Sequence, residues 1–195
     1  MKSAIYKCLV LLFLLSSLAG TAIAEWKLDN GASSIHFVSI KKSKIAEIHH
    51  FGVMDGVLKK NGEATVNINL SSVQTKIPIR DDRMKSMLFE VDLFPQASVT
   101  TQVNIKQANN MKPGDSALQS QKLTLSLHGQ QKMMDSTFLV TRLSDGRLMV
   151  STIEPLIVNA DDFTLGKGVE ALREVAKLPS ISTAVPVTVN LIFAQ

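Results

Sequence analysis

Residues 184 to 193 alternate with period two. Val185, Val187, Val189, Leu191 and Phe193 occupy one set of positions, and Pro186, Thr188 and Asn190 sit between them. The same pattern marks Leu123, Leu125 and Leu127, then Val66, Ile68 and Leu70, and Val99, Thr101, Val103 and Ile105. Successive side chains on a strand point to opposite faces, so each stretch has one apolar face and one wet face. A chain that repeats this with brief helical interruptions builds a sheet around one apolar interior. That interior is either a solid core or a container, because both write the same alternation.

The spacing predicts strands near 34–40, 45–59 (bent at Gly52), 64–70, 97–107, 120–128, 132–143, 147–154 and 183–194. Turn residues separate them: Lys60-Asn61-Gly62, Pro113-Gly114-Asp115, His128-Gly129-Gln130 and Ser144-Asp145-Gly146, with Asp145-Gly146 the sharpest hairpin signal. About eight antiparallel strands in hairpin order suit a closed all-β barrel, which leaves no exposed edge and can hold one small ligand. Two segments break the period. Across 80–94, Met84, Met87, Leu88 and Val91 fall at helical spacing before Pro95; across 168–178, Val169, Leu172, Val175 and Ala176 share a helical face before Pro179. Nothing in composition divides the chain, so residues 25–195 are read as one domain.

Residues 1–24 read as a signal peptide. Lys2 and Lys7 precede an apolar run from Cys8 to Leu18, and Ala22-Ile23-Ala24 gives the small-x-small pattern of a cleavage site. A periplasmic protein beginning at Glu25 is therefore expected. Cys8 is the only cysteine, so disulfides, thiolate catalysis and zinc–thiolate sites are excluded from the exported chain. Removing Lys2 and Lys7 takes the formal net charge from +4 to +2. With one Trp, and no Tyr past residue 24, nothing suggests nucleic acid. Scarce aromatics and abundant aliphatics suit a flexible hydrocarbon ligand better than a sugar or a flat ring.

The polar clusters do not assemble into a catalytic pattern. His49 and His50 are adjacent and would point to opposite faces of a strand, which leaves His36 without a chelating pair; His128 is assigned to the wet face of its strand. Asp81-Asp82 and Asp161-Asp162 stand before helical turns and read as caps. No nucleophile elbow, HExxH or phosphate-binding glycine loop occurs, so no enzyme and no metal site are expected. Lys41, Lys42 and Lys44 form a basic hairpin tip, and Lys59 and Lys60 another. Such runs are ordinarily solvated; their functional version is a transient landing site on anionic headgroups, at about 1 kcal/mol per Lys. Met84, Met87, Leu88 and Phe89 form a candidate lid, since Met adapts to irregular apolar shapes.

Several motifs, taken in order, resemble a known family. Trp26-x-Leu28-Asp29 leads to Ser34-x-x-Phe37, then Phe51-Gly52-x-Met54-x-Gly56, Arg80-Asp81, Phe94-Pro95 and Leu123-Thr124-Leu125-x-x-His128-Gly129. Asn159-x-Asp161-Asp162-Phe163 and Gly168-Val169-Glu170-x-Leu172 close the series. The chain resembles the YceI-like family of bacterial periplasmic proteins. The resemblance implies a lipocalin-like antiparallel barrel whose apolar interior holds a polyisoprenoid or similar lipid, with no catalytic residues. The chain departs from the family at Val53 and Met54, where Phe is frequent, which would widen the interior, and at Asp82-Arg83, where His often follows Arg-Asp.

The expected function is a carrier or sequestering protein for a long-chain isoprenoid-type lipid, such as a quinone side chain or polyprenyl chain; a filled barrel acting as an interaction or stress-response module is the alternative. The expected lipid-lining residues are Phe37, Val66, Ile68, Val103, Leu123, Leu125, Phe138, Val140, Val187, Val189 and Leu191. Arg80 and Lys85 are candidates for a polar or phosphate headgroup at a mouth covered by Met84, Met87 and Leu88. The expected partners are an isoprenoid-type lipid and transiently a membrane surface, with no cofactor beyond a bound isoprenoid or quinone; a homodimer is compatible with the sequence.

Overall fold

The computed structural model describes residues 25–195; the expected signal peptide lies outside the described residues. Twelve strands follow in chain order: β1 (Trp26–Leu28), β2 (Ser34–Lys41), β3 (Ile45–Phe51), β4 (Met54–Leu58), β5 (Glu63–Asn69), β6 (Val73–Gln74), β7 (Gln96–Gln102), β8 (Ser116–Leu127), β9 (Gln130–Arg142), β10 (Leu148–Thr152), β11 (Leu156–Asn159) and β12 (Ala184–Ala194). Helix α1 (Pro78–Arg83) runs into a π-helical turn (Met84–Leu88); α2 (Ile105–Asn110) follows β7, and α3 (Gly166–Val175) precedes β12.

Every pairing between named strands is antiparallel, and the pairings close. From β1 the ladder passes through β4, β5, β7, β8, β9 and β10 to β12, which pairs again with β1 through Leu28↔Phe193. This is the expected eight-stranded barrel. The first half of β12 has other neighbours: Val187↔Phe37 and Val189↔Ile35 join it to β2, and Leu156↔Val187 joins it to β11. The β2–β3 hairpin thus extends one side of the barrel beyond the ring.

Two departures from the sequence reading have local causes. The expected strand 45–59 is two strands parted at Gly52, whose N–H donates to the Ser72 carbonyl at 3.0 Å and where a Cβ would stand 2.7 Å from Gln74 Nε2. The strand expected over 97–107 stops at Gln102, because the Asn104 side chain caps α2 by accepting from the Gln107 N–H. Val103 and Ile105 therefore mimic alternation across a strand end. The β8–β9 connection at His128-Gly129 is the tightest turn, with φ of 49° and 74°, as a two-residue hairpin of primed type requires.

The interior is packed at one end. Trp26, Leu58, Val140, Leu148 and Phe193 are all buried, and Arg142 lies 4.7 Å from the centre of the Trp26 ring. At the other end two helical segments close over the barrel. Pro78 starts α1, where a missing N–H costs nothing, and the Phe89 N–H reaches the Met84 carbonyl at 2.9 Å in the i→i+5 pattern of a π-turn. Helix α3 meets this segment at Gly168, where an added Cβ would lie 2.7 Å from the Met87 carbonyl oxygen and 2.8 Å from Leu88 Cα. Both neighbours are backbone, so they cannot yield cheaply. Gly168→Ala is expected to separate the two segments and destabilise the protein by about 1–3 kcal/mol; urea denaturation checks this, and an unchanged midpoint would contradict the contact.

Candidate functional site

Between the packed end and the helical cover lies a cavity of about 530 Å³, within the roughly 300–1,000 Å³ of small-molecule sites. Each wall follows from strand parity. On β12, Val185, Val187, Val189 and Leu191 face it; on β8, Leu123, Leu125 and Leu127; on β5, Val66 and Ile68; on β7, Ala97 and Val99; on β9, Met134 and Phe138. Val169, Leu172, Val175 and Ala176, one face of α3, complete the wall beside Met84, Leu88 and Phe89 of the lid segment. Among the expected lining residues, Phe37, Val66, Ile68, Leu123, Leu125, Phe138, Val187, Val189 and Leu191 stand on this surface.

Val103 and Val140 do not. Val140 belongs to the packed end, opposite Val150 on β10, and Val103 lies past the end of β7 with its N–H bonded to the Gly62 carbonyl. Among the mouth residues, Arg80, Met84 and Leu88 reach the cavity, whereas Met87 turns its backbone to Gly168 and Lys85 faces Asp82 at 3.5 Å. The departures at Val53 and Met54 do not widen the space: Val53 is exposed, and Met54 is buried off the cavity wall.

The polar groups of the cavity gather at one end: Ser39, Lys41, Glu47, His49, Arg80, Arg83 and Ser182 are its polar lining residues. Glu47 Oε2 accepts from Lys41 Nζ at 2.6 Å and from Arg80 at 2.9 Å. The Lys41 hydrogen bond, reinforced by Arg80, holds the Glu47 carboxyl below its ordinary range. Arg80 also donates to the Thr75 carbonyl at 2.6 Å, while Asp81 accepts from the Thr75 N–H at 2.8 Å and from the Thr75 hydroxyl. These bonds fix α1 over the barrel. Arg80 Nε and His49 Nδ1 are buried without a hydrogen-bond partner in the protein.

The sequence reading missed His49. It is 2% exposed, lies against Phe37 at 5.2 Å between ring centres, and bonds Ser39 Oγ through Nε2 at 2.8 Å. The signal was its parity: Glu47, His49 and Phe51 alternate along β3, but a polar pair in the series hid the inward face. Phe51 continues the stack to Phe89 of the lid at 5.8 Å. His36 and His50 face one another at 5.9 Å between ring centres, off the cavity wall, and the described residues contain no cluster of three metal-binding side chains. His128 is not on a wet face either. Its Nε2 lies 2.8 Å from Glu90 and its Nδ1 3.0 Å from Thr164, while its ring lies 4.3 Å from that of Phe94. The imidazole thereby ties the β8–β9 turn to the end of the lid segment.

The model of the YceI-like domain matches residues 26–193. The chain belongs to the YceI-like family. Its structure is similar to that of a polyisoprenoid-binding domain from Saccharophagus degradans implicated in plant cell wall breakdown, with 39% identity and a TM-score of 0.84 over 86% of this chain and 97% of that one. It also shares a fold with BcnA of Burkholderia cenocepacia, at 16% identity and a TM-score of 0.64 over 86% of this chain and 99% of the other. Among curated proteins none matches. Within this YceI-like barrel, Gly52, Gly129 and Gly168 occupy places where the fold brings another segment within 4 Å of the missing Cβ.

Burial, with the Arg80 charge second, pushes the His49 imidazole down to about 4. Because that value lies below the ordinary one of about 6.5, the unfolded chain takes up a proton first as pH falls. The contribution to stability is therefore whole above about pH 6.5 and is lost between 6.5 and about 4. Stability of the His49→Gln variant is expected to fall less steeply across that window than that of the wild type, measured by urea denaturation at each pH. Parallel curves would contradict the burial of a neutral ring.

Proposed function

We propose that this protein is a periplasmic carrier or sequestering protein for a long-chain isoprenoid-type lipid, held in the barrel cavity. The cavity carries the reading: a space of about 530 Å³ with aliphatic walls on strands and lid alike, and polar groups confined to one end. At about 25 cal/mol per Å² of apolar surface removed from water, a multi-unit prenyl chain is retained by burial alone. The similarity to a polyisoprenoid-binding domain at 39% identity supports the ligand class. Export rests on the sequence of residues 1–24.

The polar end suits a ligand with one oxygenated terminus. Arg80 Nε–H is a fixed donor, and the neutral imidazole of His49 presents Nδ1 as donor or acceptor according to its tautomer. An oxygen at the end of the chain, a quinone carbonyl or a polyprenyl hydroxyl or phosphate, would meet these groups while the hydrocarbon fills the remainder. Binding rather than catalysis is the activity this arrangement supports. The alternative of a filled barrel without ligand is disfavoured by the cavity, since the interior is packed at only one end.

Replacing both Leu125 and Val189 with Lys places two ammonium groups against the hydrocarbon. Such desolvated charges are too costly to hold beside an alkyl chain, so the double variant is expected to retain no lipid. Organic extraction of the purified protein followed by mass spectrometry reads the result. A folded double variant, verified by circular dichroism, that retained as much lipid as the wild type would overturn the assignment.

A further inference from the structure

Seven described residues other than glycine adopt a left-handed backbone, a conformation that a side chain disfavours. Glu90, His128 and Thr164 converge on the His128 imidazole and are explained by it. The other four are Lys42, Ser43, Lys76 and Lys177, with φ of 53°, 58°, 65° and 52°. They come from three separate loops, and all three loops border the cavity. Lys76 precedes Ile77, and Lys177 lies between Ala176 and Leu178, all three neighbours being cavity-lining. The Lys42 N–H donates to the Ser180 carbonyl at 3.0 Å, and Lys41 is bridged to Ile181. Ile77, Val175 and Ala176 both line the cavity and are exposed outside, so these loops surround its mouth.

Glycine would serve positions 42, 76 and 177 with less backbone strain. Lysine stands there instead. For Lys177 a local reason exists, since a cation just past the end of α3 suits the helix dipole. Lys42 and Lys76 follow no helix. Lys42, Lys44, Lys76, Arg83 and Lys177 have no ion-pair partner among the described residues, while the nearby Glu47 is neutralised by Lys41 and Arg80 and Asp82 faces Lys85. The rim is also apolar: Ile77 is 43% exposed, Ile79 57% and Val175 43%.

We propose that this rim docks on an anionic lipid bilayer, the lysines against headgroups and Ile77, Ile79 and Val175 in the interfacial layer, so that the cavity mouth opens onto the membrane. Charge complementarity and continuity with the cavity select this occupant. Lysines at an anionic surface and apolar side chains beneath it are the two components of interfacial binding. Docking spares an apolar cargo a passage through water. The inference rests on the lipid-carrier reading for its purpose, but vesicle binding is read separately from cargo retention.

The test is co-sedimentation of residues 25–195, which hold the whole described fold, with vesicles of pure phosphatidylcholine and of equal parts phosphatidylcholine and phosphatidylglycerol. Binding to the anionic vesicles alone, weakened by salt, is expected. The variant carrying Lys42→Gly, Lys76→Gly and Lys177→Gly should partition about 100-fold more weakly, at about a factor of five per lysine, with a melting temperature equal to or above that of the wild type. Ile79→Ser should bind more weakly while keeping its fold. None of these four residues lines the cavity, so lipid retained from the expression host should persist in both variants; loss of vesicle binding with cargo retained separates docking from carriage. Wild-type protein that ignores anionic vesicles, a triple variant that binds them as well as the wild type, or preference for polyglutamate over vesicles, which marks an acidic protein partner, overturns the proposal.

Discussion

The architecture depends on the backbone pairing of one strand. β12 has its last residues against β1 and β10, which closes the ring, and its first residues against β2 and β11, which holds the extended hairpin on the barrel. Because its inward row runs from Phe193 through Leu191, Val189 and Val187 to Val185, a single strand traverses the packed end and the cavity in turn. Large buried residues from β1, β4 and β10 fill the first region. In the second, the opposing walls stand apart and helices lie across the top.

Those helices cover one end of the cavity, and a few specific attachments hold them there. Phe89 joins the Phe37–Phe51 stack, Arg80 bridges Glu47 and the Thr75 carbonyl, and Asp81 holds Thr75 from the other side. At the far end of the lid segment, Glu90 meets His128. The cover is thus pinned at both ends, while its middle is a π-turn carrying Met84 and Leu88 to the cavity. Flexible side chains at that point adapt to the shape of whatever lies beneath.

Much of this was legible in the sequence because strand parity is a strong constraint. The rows on β5, β8 and β12 turn inward as their alternation requires, and the Val169–Leu172–Val175–Ala176 face of α3 meets the cavity. What escaped did so for identifiable reasons. β1, β6 and β11 are too short to display a period of two. The inward row of β3 contains Glu47 and His49, so its pattern is polar where its position is internal. Val103 and Ile105 continue an alternation that the Asn104 cap interrupts. Val140 obeys parity but lies past the boundary between packed and hollow regions, and parity reports the face of a strand, never the depth along it.

The distinction between hollow and packed carries the functional account, and it has a direct test. Native mass spectrometry of the protein purified from membrane-containing cells, without detergent extraction of its cargo, reads the contents of the barrel. The account predicts a species heavier than the bare chain by the mass of an isoprenoid-type lipid, which collapses to the bare mass after organic extraction. A spectrum holding only the bare mass, from folded protein never exposed to solvent or detergent, would contradict it.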